Sequence, residues 1–188
     1  MKMQWITTAA VGTLAAFCLV AAASAQAPSS PVPANANAAS AAGKLHHGDR
    51  LFVRNAAEGG MAEVEMAKVA QQRGTSADIK SFADRMVTDH SKANQQLTSI
   101  VAAKGASVPD KLLHKDSQEM IKLDHLEGAK FDKEYVKVQL AAHKDAVKLF
   151  KREAKHGKDT ELRSFAGPTL PVLQDHLAMV TALSKNVH

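Results

Sequence analysis

The chain of 188 residues carries 24 basic and 19 acidic side chains, a formal net charge of +5 and only 4% aromatic residues. Because the basic residues are interspersed with acidic ones and aromatic residues are few, this composition argues against nucleic acid as a partner. The single cysteine, Cys18, lies in an N-terminal apolar run. Once that run is removed, a disulfide, an iron–sulfur cluster and a thiolate metal site are all excluded.

The first residues have the layout of a secretory signal peptide. Lys2 gives a basic start, residues 5–23 are almost entirely apolar or small, and residues 23–25 have the small-x-small form of a cleavage site. The apolar run is also close to the length of a membrane-spanning helix, so an uncleaved anchor is the alternative. We expect residues 1–25 to be removed, which leaves no integral membrane span. The mature protein is then periplasmic or secreted, with an envelope or surface protein as a possible partner.

Residues 26–44 are rich in Ala, Pro, Ser and Asn and show no periodicity, which is typical of a flexible linker. The remaining residues, 45–186, are long enough for one domain. No run in this domain alternates in the manner of a β-strand. Apolar residues instead recur at helical spacing. The predicted segments are about 49–73, 77–104, a short helix at 116–127, 129–156, and a last segment after Asp159 that is interrupted at Gly167-Pro168 and restarts near Thr169.

Each long helix has one apolar face that it cannot bury alone, so the sequence predicts an all-α fold, a ferritin-like four-helix bundle. Short turns at 74–76 and 157–159 predict two antiparallel hairpins. The longer segment 105–128 joins them, and its length permits a crossover without requiring one.

Four ionisable residues interrupt these apolar faces: Glu63, His90, His143 and His176. Glu63 and His90 lie roughly 18 and 22 Å from the first hairpin turn at 1.5 Å per residue, and the two other histidines lie at similar heights above the second turn. Each hairpin therefore brings two polar groups to mid-bundle. One carboxylate and three imidazoles at one level suit a divalent transition metal such as zinc, copper or iron.

The alternative is that these histidines are core residues that pack and form hydrogen bonds within the protein. Two Asp-His pairs occur, and their aspartates, Asp89 and Asp175, fall at the edges of the helices. There they can orient a histidine on another helix or face solvent. Both pairs follow a Phe-Ala pair, which suggests related hairpins, although chance accounts for it equally well. Di-iron chemistry needs two E-x-x-H motifs, and the sequence has one, at Glu153–His156.

Several runs resemble a family of secreted bacterial proteins that carry a domain of unknown function. These runs are residues 56–65, residues 82–94, residues 131–135 with His143, and Leu170-Pro171 with His176. The family is often labelled an outer-membrane or exported protein and is grouped with ferritin-like bundles. The resemblance covers about residues 49–185. It implies a ferritin-like bundle in the periplasm or at the cell surface, with shared polar positions at Glu63, Asp89, His90, Asp132, Tyr135, His143 and His176.

Three hypotheses follow. The first is an exported, non-enzymatic bundle protein linked to envelope stress, with Glu63, His90, His143 and His176 as metal ligands. Around that site, the expected hydrogen-bond partners are Asp89, Asp132, Tyr135 and Asp175. The second is a metal-free interaction or envelope-support module. The third is a ferritin-like oxidoreductase, which the missing second E-x-x-H motif disfavours.

Overall fold

A computed structural model describes residues 45–187, so the predicted signal peptide and the predicted linker lie outside the described residues. Five helices and no strand occupy this part of the chain, which confirms the all-α prediction. Their bounds are α1 His47–Arg73, α2 Ala77–Ala103, α3 His114–Asp124, α4 Gly128–His156 and α5 Thr160–Leu183.

The four long helices form two hairpins, α1 with α2 and α4 with α5. Both turns occur where the sequence predicts them, because a cap begins the second helix of each hairpin. The Ser76 hydroxyl accepts from the amide of Ile79, and the Asp159 carboxylate accepts from the amides of Glu161 and Leu162. In the bundle α1 also packs on α4, and α2 packs on α5.

Each hairpin also binds the turn of the other through one aspartate. Asp49 near the start of α1 accepts from the amides of Lys158 and Asp159, at 2.9 and 3.0 Å. Asp132 near the start of α4 accepts from the amide and hydroxyl of Thr75. The same number of residues separates Asp49 from Asp132 and the Phe-Ala pair at 82–83 from the pair at 165–166. The two hairpins thus follow one pattern and meet reciprocally.

These contacts fix the direction of the connection between the hairpins. α2 ends at what we call the Asp49 end of the bundle, where Lys104 pairs with Asp159. α4 begins at the opposite end, the Thr75 end. Residues 104–127 must therefore run the length of the bundle, and α3 within them packs against α1 and α4. The sequence permitted a crossover between the hairpins without requiring one, and the structure contains it.

The apolar core has two parts with a polar level between them. Toward the Thr75 end lie Phe82, Phe131 and Tyr135, and toward the Asp49 end lie Phe52, Phe150 and Phe165. The ring of Phe52 contacts those of Phe150 and Phe165, with centroids 5.1 and 6.3 Å apart. We call this second group the lower core. It joins α1 to both helices of the other hairpin.

The predicted interruption of the last helix at Gly167-Pro168 is wrong. α5 is continuous from Thr160 to Leu183, with Pro168 and Pro171 inside it. Proline removes a backbone hydrogen bond, but side chains on both sides of this point are buried, and that burial holds the two halves of the helix on the core. The Thr169 hydroxyl also donates to the Phe165 carbonyl at 2.7 Å.

Within residues 45–187 no helix combines the length and the apolar character that a membrane span requires.

A carboxyl pair at the Asp49 end predicts a pH dependence of stability. Glu153 is buried beside Asp49, and this burial, together with the Asp49 charge, raises the pKa of Glu153 to about 7. Between about pH 4.5 and 7 the unfolded chain loses this proton while the folded protein keeps it, so stability falls as pH rises.

We expect the free energy of unfolding of the wild type, relative to Glu153→Gln, to fall by about 1–2 kcal/mol across this range, reduced by solvent screening near the bundle end. Urea unfolding of both proteins at several pH values measures this difference, and groups shared by both proteins cancel. A difference that stays constant with pH would contradict the prediction.

Candidate metal centre

Three imidazoles meet at the polar level between the two parts of the core. His90 comes from α2, His143 from α4 and His176 from α5, and all three are buried. Their ring centroids are 5.3 to 5.5 Å apart. One ring nitrogen from each lies within 4.8 Å of one from each of the others. Two hairpins that are joined only by the long crossover thus contribute to one cluster.

One nitrogen of each ring faces a protein acceptor. His143 Nδ1 donates to the carbonyl oxygen of Gln139 at 2.9 Å, one turn earlier on α4. His176 Nε2 lies 2.9 Å from Asp89 Oδ2, and His90 Nδ1 lies 3.1 Å from Glu63 Oε2. Because a neutral imidazole carries one N–H and one lone pair, these acceptors leave the lone pair on the other nitrogen.

The other three nitrogens are buried and unpartnered. His90 Nε2, His143 Nε2 and His176 Nδ1 have no hydrogen-bond partner among residues 45–187. Buried polar atoms are nearly always paired, because leaving one unpaired costs about 1–3 kcal/mol. Three such atoms on adjacent rings therefore point to a ligand that binds all of them.

Burial also sets the protonation of the cluster. It lowers the pKa of His90 to about 4 and lowers the pKa values of His143 and His176, so all three rings are neutral near pH 7. Neutral imidazole is the form that coordinates metals. Burial raises the pKa of Glu63, and the neighbouring His143 opposes that rise.

All four residues predicted as ligands come together at this level of the bundle. Glu63 contacts the histidines through their Nδ1 atoms, at 3.1 Å from His90 and 3.4 Å from His143. Its carboxylate therefore lies on the nitrogens that already face protein, which is the position of a hydrogen-bond partner. Metal ligation itself stays a prediction.

The four other predicted site residues divide into one that reaches the cluster and three that do not contact its rings. Asp89 binds His176 across the interface of α2 and α5, as its position at the helix edge allowed. Asp175 is exposed, and Asp132 binds Thr75 at the end of the bundle. Tyr135 is buried between Phe82 and Phe131, and its hydroxyl has no partner in the described part of the chain.

Sequence reasoning missed two members of the site. Arg85 pairs with Asp89 and holds the pKa of that carboxyl below its usual range, with His176 adding to the effect. The spacing of Arg85 and Asp89, one helical turn, is the signal that could have revealed this pair. The Gln139 carbonyl that fixes His143 is a backbone group, which no residue pattern indicates.

A cavity of about 750 Å³ extends from the cluster toward the surface. His90, His176 and Glu63 line it, together with small residues of α1 and α2 such as Gly60 and Ala93. The crossover also contributes to its wall through α3. The cluster is therefore buried and still adjoins open space.

Comparison with known proteins gives one family and two similar folds. The family model described as "Domain of unknown function (DUF4142)" matches residues 34–183. A solved structure described as "CopM in the Cu(II)-bound form" has a TM-score of 0.65 and 14% identity, and covers 74% of this chain and 97% of that chain. A DUF305 fragment from Deinococcus radiodurans has a TM-score of 0.65 and 12% identity, and covers 75% of this chain and 98% of that chain. No curated protein matches the sequence significantly.

At these identities the two structures support the helical-bundle fold alone. The family match confirms the expected domain of unknown function. The ferritin-like grouping and the outer-membrane label stay predictions.

Proposed function

Because the chain belongs to the DUF4142 family, whose function is unknown, we propose a function from the cluster itself: the protein binds one transition-metal ion through His90, His143 and His176. Glu63, Asp89 and the Gln139 carbonyl orient the three rings. The protein acts as an exported metal-binding bundle in the cell envelope, and it performs no catalysis of its own.

The observation that carries this proposal is the contrast between the two nitrogens of each ring. One nitrogen of each imidazole faces a carboxylate or a carbonyl, and the other is buried and without a partner among the described residues. Histidines that ligate metals usually donate their second N–H to a carboxylate, a carbonyl or water. A purely packed histidine cluster has no need of three unpaired nitrogens on adjacent rings.

The donor set supports a borderline metal. Imidazole nitrogen suits copper, zinc, iron and nickel, whereas magnesium and calcium prefer oxygen ligands. Three histidines leave a further coordination position open, toward water or a second ligand. The similar fold of CopM, which was solved in a Cu(II)-bound form, makes copper the first metal to test. The proposal also includes export of the protein to the periplasm or cell surface and a link to envelope stress.

Metal analysis of protein purified without a histidine tag tests the proposal. The protein is dialysed against copper or zinc at known free concentration, and metal and protein are then quantified. We expect one ion per chain, and competition between the two metals. Folded protein, shown by its circular dichroism, that takes up neither metal would refute the proposal and favour a metal-free packing module.

The hydrogen-bond partners of the rings should tune affinity. In Asp89→Asn the ring of His176 loses its carboxylate acceptor, so we expect the affinity for copper to fall by about 10- to 100-fold. Asp84→Asn is the matched control, since Asp84 is exposed on the same helix and binds Gln71 instead. Competition titration with a chelator measures both proteins. Equal affinities in the two variants would contradict this role of Asp89.

A further inference from the structure

The crossover helix α3 contributes side chains to the cavity that adjoins the histidines. Leu113, Lys115, Asp116 and Glu119 line that cavity together with Glu63 and two of the three histidines. The 105–128 segment therefore forms part of a wall between solvent and the centre, in addition to joining the hairpins.

Two carboxylates of α3 face inward at this wall. Asp116 Oδ2 and Glu119 Oε2 are buried and have no hydrogen-bond partner within residues 45–187. They lie one turn apart on the helix, so their side chains share a face. Burial raises the pKa of Asp116, the charge of Lys115 opposes that rise, and the charge of Glu119 adds to it.

A third carboxylate continues the path to the centre. Glu63 has a side chain that is 6% exposed, and its Oε1 atom is buried without a hydrogen-bond partner among the described residues. Asp116 and Glu63 line the same cavity, although the two lie on different helices. Glu63 in turn contacts His90 and His143. The carboxylates of Asp116, Glu119 and Glu63 therefore line the cavity between α3 and the histidine rings.

Basic residues at the mouth do not block this path. Lys115 and Lys137 both line the cavity, with side chains that are 73% and 69% exposed. Lys115 Nζ lies 4.0 Å from Asp116 Oδ1, which leaves Asp116 Oδ2 without a partner among residues 45–187, and Lys137 pairs with Glu134. Farther along the cavity, Lys148 and Arg152 lie on α4 with Asp145 as the neighbouring acid. Because that part is the more basic, the α3 side is the favoured approach for a cation.

We propose that Asp116 and Glu119 form the loading route of the centre: they capture a hydrated divalent cation beneath α3 and pass it through the cavity to the imidazole nitrogens. This inference rests on the proposed metal binding and deepens it. Carboxylates attract the cation and orient it in a partly dehydrated cavity, while the imidazoles form the stable site. The route therefore sets the rates of uptake and release, and the affinity depends on the histidines.

Stopped-flow mixing of the full chain with aqueous Cu(II) measures the loading rate. Quenching of the single tyrosine, Tyr135, next to the Phe82 ring that contacts His143, reports arrival. In the double variant Asp116→Asn/Glu119→Gln we expect loading to slow by about 10-fold or more at low salt. Release to a chelator should slow in parallel, so the equilibrium affinity stays within about twofold. The difference in loading rate should shrink in high salt.

The double variant Asp110→Asn/Glu127→Gln is the matched control, because it removes the same charge from exposed positions on the same connection. We expect it to load at nearly the wild-type rate. The single Glu119→Gln variant repeats the test if the double variant folds poorly.

Each other outcome is informative. Equal loading rates in the two double variants would overturn the route and leave the proposed metal binding intact. Faster release with weaker affinity in Asp116→Asn/Glu119→Gln would also overturn it, since these carboxylates would then hold the bound metal. Failure of the wild type to bind copper or zinc would instead overturn the proposed function.

Discussion

In the His143→Ala variant we expect copper binding to weaken by more than about 100-fold. Loss of a hydrogen-bond partner of a ligand already costs about 10- to 100-fold in affinity, and this substitution removes the ligand itself. His143 is fully buried and contacts the two other histidines, so no neighbouring imidazole is placed to replace it. Isothermal titration or chelator competition measures the loss.

His125→Ala is the matched control, because His125 lies exposed at the end of α3 and outside the cluster. It should bind copper as the wild type does. Removal of a buried ring also leaves a cavity, so His143→Gln, which keeps a polar side chain of similar length, tests the same point with less disturbance. Retention of full affinity in both His143 variants would show that the metal binds elsewhere.

The Phe52→Ala variant should lose about 3–5 kcal/mol of unfolding free energy. Phe52 is fully buried in the lower core, where its ring contacts those of Phe150 and Phe165. The substitution removes apolar contact between α1 and both helices of the other hairpin. Ile121→Ala is the control, because Ile121 is 51% exposed and should change stability by less than about 0.5 kcal/mol.

Urea unfolding of the metal-free proteins measures these values. Added metal should then stabilise the wild type and Phe52→Ala by the same amount, about 2.7 kcal/mol when free metal is 100 times the dissociation constant. The increments should agree because the ring contacts of Phe52 are with Phe150 and Phe165 of the lower core, away from the proposed metal ligands. A loss below about 1 kcal/mol for Phe52→Ala would contradict the assigned packing.

Helical periodicity predicted much of this fold. It placed α1, α2 and α4 within about two residues of their observed bounds and located the hairpin turns at 74–76 and 157–159. It did not determine the path of residues 105–128, because periodicity shows which face is buried and not which helix covers it. The prolines of α5 led to a wrong prediction for a related reason. Proline favours a break in a helix locally, but the burial of side chains on both sides of Pro168 and Pro171 outweighs that preference.

The same limit applies to the site. Spacing along each helix placed Glu63 and the three histidines at one level, and the structure brings them together. Spacing cannot show which ring nitrogen faces which neighbour, so the position of Glu63 on the Nδ1 atoms was beyond the sequence. The inward carboxylates of α3 were beyond it also, because spacing did not show which helices that short segment packs against.

The reciprocal aspartate contacts at the two ends have a consequence for a chain cut in two. A break among residues 106–112, which lie outside any helix, would separate one hairpin from the other. Each piece would still hold the turn of its mate, through Asp49 at one end and Asp132 at the other. The halves should therefore reassociate when mixed, and a bound ion shared between His90 of one piece and His143 and His176 of the other would tie them together.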